Sequence, residues 1–115
     1  MTTETKRHGE FLAIEVAIWA IAAMREVVAV IRRKDVDLAR QIVRAANSVV
    51  ANVAEGNRRV GKDRLHSFRV AAGSADEVIA HLRVAQAWGY VDGRQTEGAL
   101  KLLDRELRLL WGLTR

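Results

Sequence analysis

The sequence predicts an all-α protein, an up-down-up-down antiparallel four-helix bundle, and three observations carry that expectation. None of its 115 residues is proline, a residue that disrupts helix interiors and marks many turns. Four successive stretches place apolar residues at alternating steps of three and four, and none shows the strict alternation of a half-buried strand. The connections between these stretches are short and made of glycine and charged residues, which favours antiparallel neighbours.

Residues 1–9 are polar and read as a flexible N-terminal tail, leaving 10–115 as a single bundle domain. The first helix spans about 10–33. Ile14, Ala17, Ile21, Met24, Val28 and Ile31 form its seam, and Leu12, Val16, Trp19, Ala20, Ala23, Val27 and Val30 form a second apolar row. One buried face needs one stripe, so two rows imply packing on two sides: the bundle itself and another subunit. Glu15 and the Arg25-Glu26 pair interrupt the apolar run well short of the roughly 20 residues a membrane span requires.

Arg32, Arg33 and Lys34 place positive charge at the carboxyl end of this helix, complementing its dipole. Asp35 or Asp37 then caps a second helix whose core stripe is Leu38, Ile42, Ala46, Val49 and Val53. Gly56 and Asn57 offer a stop, and Gly61 is the firmer break. Asp63 opens a third helix carrying Leu65, Phe68, Ala72, Ala75, Ile79, Leu82 and Gln86 at bundle spacing, which ends at Gly89. After a connection over 90–93, Leu100, Leu103, Leu107 and Leu110 repeat at the same spacing, with Leu102, Leu109 and Trp111 beside them.

The residue inventory excludes most catalytic chemistry. There is no cysteine, hence no disulfide, Cys-containing zinc site, iron–sulfur cluster or thiol nucleophile. His66 and His81 lie fifteen residues apart in the third helix, and His8 lies in the tail. A di-iron bundle needs Glu-x-x-His on each of two helices, whereas the acid–histidine pairs here are Asp63 with His66 and Glu77 with His81. Neither a Gly-x-Gly-x-x-Gly run nor a phosphate loop occurs, and Ser48, Ser67 and Ser74 stand in no nucleophile-elbow pattern. The expectation is a protein that is not an enzyme and has no cofactor or metal.

The net charge of +5 is unevenly placed. Residues 32–69 hold ten cations against four carboxylates, while the rest of the chain holds nine against ten. The positive excess therefore sits in the middle third, as an electrostatic footprint for an acidic partner would. Within that third, Gln41, Arg44, Ser48, Asn52, Glu55 and Arg59 fall three or four residues apart and line one face of the second helix. They form either a ridge contacting nucleic acid or a neighbouring subunit, or a network between helices. In the second case Arg44 meets Glu77, and Ser48 and Asn52 satisfy inter-helix hydrogen bonds. The network reading is favoured for Asn52 and Glu55.

Arg44-Ala-Ala-Asn-Ser48, Asn52-Val-Ala-Glu55-Gly56, Phe68-x-x-x-Ala72-Gly73-Ser74-x-x-Glu77 and Gly89-Tyr90 together resemble the four-helix-bundle protein family of bacterial 23S rRNA intervening sequences. More distantly, the chain is similar to accessory proteins of diversity-generating retroelements. The first resemblance implies a closed bundle assembling into a ring-like homopentamer. The second implies a basic bundle that binds nucleic acid.

The function expected is thus a non-enzymatic, homo-oligomeric, cytoplasmic four-helix-bundle protein that binds nucleic acid, RNA more than DNA, through phosphate contacts and away from membranes. Arg58, Arg59, Lys62 and Arg64 at the second-to-third helix junction are the candidate contacts, with Arg40 and Arg44 extending the surface along the second helix. With no aromatic beside the junction except Phe68 on a core stripe, base stacking is not expected. The alternative is a protein-interaction scaffold whose basic ring binds an acidic protein partner.

Overall fold

The structure, a computed structural model, describes residues 3–115, with side chains from residue 7 onward. Its elements are α1 (Thr3–Lys34), α2 (Val36–Arg58), α3 (Gly61–Ala87) and α4 (Gly93–Leu113). The first helix packs on α2 and α4, and α3 packs on the same two. The chain therefore runs up, down, up and down around one core, in a rod of 45 × 22 × 18 Å.

Helix α1 starts at Thr3, earlier than its apolar periodicity indicates. Gly9 is no break, because it packs against Leu113 at the end of α4. Of the tail expected over 1–9, residues 3–9 are helical, and Met1 and Thr2 lie outside the described residues. The core line of α1 draws on both apolar rows, Ala17, Met24 and Ile31 from the first and Val16, Ala20 and Val27 from the second, and adds Ala13. Ile14, Ile21, Val28 and Val30 pack partly buried at its sides. Helix α2 buries the stripe its spacing predicts, from Leu38 to Val53.

The corners follow from local chemistry. Asp35 alone separates α1 from α2, and its Oδ1 accepts the Leu38 N–H at 3.0 Å as an N-cap. Its other oxygen accepts the Tyr90 hydroxyl at 3.2 Å, so the α1–α2 corner is fastened to the α3–α4 connection. Past the end of α3, Gly89 takes a φ of 78°. The Gly89 N–H donates to Gln86 O and the Tyr90 N–H to Ala85 O, both at 2.9 Å, the paired bonds of a Schellman stop. Asp92 and Gln95 then form a reciprocal capping box at the start of α4.

The middle of the core is made of small side chains: Ala17 and Ala20 of α1, Ala45 and Ala46 of α2, Ala71 and Ala75 of α3. On the buried face of α4 stands Glu106, three residues after Leu103 and four before Leu110. Glu106 is wholly buried, and neither carboxylate oxygen has a hydrogen-bond partner. Burial pushes its pKa up from an ordinary 4.5 to about 8, so at neutral pH the core holds a carboxylic acid and not an anion.

Towards one end, Gly56 of α2 faces the ring of Phe68, the largest fully buried side chain. A β-carbon at position 56 would lie 2.5 Å from the Phe68 ring, so α2 and α3 approach this closely only because residue 56 is glycine. Gly56→Ala is expected to destabilise the fold by about 1–3 kcal/mol, measured by denaturant titration. For Glu106, the folded state favours the proton, so stability is greatest at acid pH, declines as pH rises from 4.5 towards 8 and levels off above it. Melting temperatures across that range should fall in the native chain, and Glu106→Gln should flatten the slope.

Candidate nucleic-acid interface

The α2–α3 corner owes its shape to Arg59, which leaves the helix in an extended conformation, and Val60, which continues it. Arg58, Arg59, Val60, Gly61 and Lys62 all face solvent. Arg59 is held by Glu55 one turn back, with Nε 2.6 Å from Oε1. Arg58 and Lys62 pair with no carboxylate among the described residues, so their charge is free to meet a partner.

Arg64 differs from its neighbours, and the expectation that it belongs to the binding surface is corrected. Its side chain is only 20% exposed, with Nη2 2.7 Å from Glu10 Oε1. Its Nη1 donates to the carbonyl of Gly56 at 3.1 Å, and its guanidinium lies 4.6 Å above the Phe68 ring. All of this joins the end of α2 to α1 and α3. The polar face Arg64 presents to its own chain satisfies a helix-end carbonyl and one acid, and it leaves no fork for a phosphate.

Arg40 and Arg44 lie further along α2, about 27 and 21 Å from Arg58 at 1.5 Å per residue. Arg40 stands 3.8 Å from Asp37, both fully in solvent, and Arg44 pairs with no carboxylate among the described residues. The six candidate cations thus do not form one cluster. Arg58, Arg59 and Lys62 sit together at one end, while the cations at 32–34 lie at the opposite end, separated by the whole of α2, about 34 Å. A cationic segment continuous in sequence is divided in space because a helix runs through it.

The antiparallel topology repays part of that loss. The first turns of α1 and the last turns of α4 reach the same end as the α2–α3 corner, as the Glu10–Arg64 pair and the Gly9–Leu113 contact show. They bring Arg7, Arg108 and Arg115, all exposed, towards Arg58, Lys62 and Arg69. Sequence reasoning placed none of the first three in the site, since they lie outside the cationic third. The signal was the topology itself: in an up-down-up-down bundle both chain ends meet the second corner.

The polar row on α2 resolves residue by residue. Ser48 Oγ meets Ser74 Oγ of α3 at 2.8 Å, and Asn52 Nδ2 donates to Ser48 O at 2.9 Å and to its Oγ at 3.1 Å. Ser48 thus makes the expected bond between helices, whereas Asn52 bonds within α2 and reaches α3 only through Ser48. Glu55 instead makes the exposed pair with Arg59. Arg44 and Glu77 border one open cleft with Ser48 and Ser74, yet no ion pair joins them, and Glu77 lies 3.8 Å from His81. Among the described residues, no three of the His, Asp and Glu side chains come together as a metal site would require, and no helix is long and apolar enough to cross a membrane.

The fold defines the class, an antiparallel four-helix bundle, and in this chain α2 and α3 are joined by a glycine–aromatic contact and a serine pair. The chain belongs to the 23S rRNA-intervening sequence protein family, whose model matches residues 13–112. Among solved structures it is similar to a protein of unknown function from the S23 ribosomal protein family of Bacteroides thetaiotaomicron VPI-5482. That likeness has a TM-score of 0.82 at 17% identity and covers 92% of this chain and 97% of that one; it establishes the shared fold. No curated protein matches the chain. The roles of Arg64 and its neighbours are separable by stability. Arg64→Ala should cost about 1–3 kcal/mol by leaving Glu10 without its partner and removing one of the two donors to the Gly56 carbonyl, whereas Arg58→Ala and Lys62→Ala should each stay within about 0.5 kcal/mol of the native chain.

Proposed function

We propose that this protein is a non-enzymatic, homo-oligomeric bundle that binds RNA in the cytoplasm through phosphate contacts at its basic end. The observation that carries the reading is that the topology puts Arg7, Arg58, Lys62, Arg69 and Arg115 in the half of the rod that holds the α2–α3 corner. Of these, Arg58, Lys62 and Arg69 pair with no carboxylate among the described residues, while Arg108 there is held by Asp104. Arg59 adds charge there although Glu55 holds it. Arg40 and Arg44 form a flank of this surface, and Arg64 supports it from beneath. Guanidinium groups suit phosphate because their planar fork can grip two oxygens at once.

Assembly is supported by the outer side of α1. Phe11 is 61% exposed, and Ile18 and Trp19 are each more than two-fifths exposed, on a helix whose core line is already full. Large side chains displayed in this number on one helix favour burial against another copy. A ring of five is the size the family resemblance implies. In such a ring the basic end recurs around the axis, and weak individual contacts gain by avidity.

A second reading, a scaffold for an acidic protein, is favoured by Val60. It is 83% exposed amid the cations of the α2–α3 corner, and an apolar side chain there suits a protein surface better than a phosphate backbone. A salt titration against random-sequence RNA tests the choice. Submicromolar binding at low salt should weaken steeply as salt rises, and removing Arg58 or Lys62 should each lower the log–log slope by about 0.7, the single-strand value per phosphate contact. Absence of binding at low salt would leave the scaffold. Light scattering should give several times the 12.8 kDa chain mass; a value near one chain would remove the oligomer.

A further inference from the structure

At the basic end, an open groove of about 500 Å³ lies between α3 and α4, lined by Arg69, Ala72 and Asp76 of α3 and by Leu107, Arg108 and Trp111 of α4. The floor is apolar, one guanidinium stands on each wall, and an indole forms the rim. We propose that this groove is a stacking site for an unpaired nucleobase, with Trp111 as the platform and Arg69 as the contact to the adjoining phosphate. The inference rests on the RNA reading above and names the form of RNA that the basic end takes: single-stranded.

Trp111 is 61% exposed although Leu110 beside it is fully in the core, so most of the indole contributes nothing to the bundle. The guanidinium of Arg115 lies 3.8 Å from the ring centroid. One face of the indole thus already carries a cation, an arrangement that pairs naturally with a base on the other face. The walls are unequal. Arg108 is engaged by Asp104 one turn back along α4, whereas Arg69 pairs with no carboxylate among the described residues, which makes Arg69 the free phosphate ligand. Asp76, in the same groove, can accept from an exocyclic amino group, so cytosine, adenine and guanine should be taken more readily than uracil.

The other tryptophans lack this setting. Trp19 has Arg105 at 6.0 Å but lies on the exposed side of α1 proposed for assembly. Trp88 follows α3, at the end of the rod away from the α2–α3 corner. A duplex keeps its bases stacked inward and cannot offer one to the indole, so the site separates single-stranded from double-stranded RNA, a distinction that phosphate contacts alone do not make.

The test compares three probes of equal phosphate number at one low salt concentration: a single-stranded RNA of mixed sequence, its abasic counterpart and a blunt RNA duplex. The native protein should bind the first about 5- to 150-fold more tightly than the second, the range that stacking one base supplies. Trp111→Ala should remove that advantage and leave abasic and duplex binding unchanged, while Trp111→Phe should keep most of it. Equal binding of intact and abasic strands by the native protein overturns the stacking site without requiring any variant to fold, and leaves the phosphate reading standing. No binding to any probe brings down the RNA reading itself. A lower light-scattering mass for Trp111→Ala, with unchanged preference for the intact strand, assigns the indole to contact between copies and also overturns the proposal.

Discussion

The distance between α2 and α3 governs this bundle, and it is set where Gly56 lies against the ring of Phe68. Helix axes come together only as far as the side chains between them allow. Along this seam those side chains are glycine, alanine and serine, with one aromatic ring filling the space that the glycine leaves. Because the helices are close here, Ser48 can reach Ser74 and Arg64 can reach back to the last turns of α2 while resting on Phe68. The same guanidinium then reaches Glu10 and ties in α1. Close packing, a hydroxyl pair and a helix-end clamp are thus consequences of one missing β-carbon.

This explains the residues that carry the family pattern. Asn52, Gly56, Ser48 and Ser74 all serve the α2–α3 seam, so the motif is a packing code first. Arg44 and Glu77, two of the three charged members of the pattern, border an open cleft without pairing to each other, and the third, Glu55, holds Arg59 on the surface. They remain on the surface, free of the structural work done by their uncharged neighbours. A pattern shared by a family can therefore preserve a fold while its charged positions answer to something outside it.

Much of the architecture was legible in the residues, and the misses have physical causes. Asp35, Gly89 and Asp92 mark boundaries because each satisfies or stops helix-end hydrogen bonding by its own chemistry. The α2 stripe was legible because only one of its faces is apolar. In α1 apolar residues run around more than half the helix, so periodicity could not say which line was central, and the answer drew on both rows. Glu106 was hidden for the opposite reason: a carboxylate reads as surface by residue type, although its spacing from Leu103 and Leu110 is that of a core position. The basic site was half legible. Charge arithmetic found Arg58 and Lys62, but sequence proximity overstated their kinship with the cations before α2 and missed the contributions of α1 and α4. Arg64, counted as surface, needed coordinates to reveal Glu10 beside it.

The single-residue link at Asp35 and the short connections after it make α1–α2, α2–α3 and α3–α4 local hairpins, each cheap in loop entropy. Only the seating of α4 against α1 joins opposite ends of the chain, so that seam carries most of the contact order and closes at the greatest entropic cost. The seam of α4 with α3 is the most sparsely packed of the four, and α4 is the helix that brings Glu106 into the core. When α4 lifts, a carboxyl that the core keeps neutral gains water and can ionise. Opening at this edge is therefore coupled to proton release, and amide exchange along α4 gains an alkaline dependence beyond that of exchange chemistry itself.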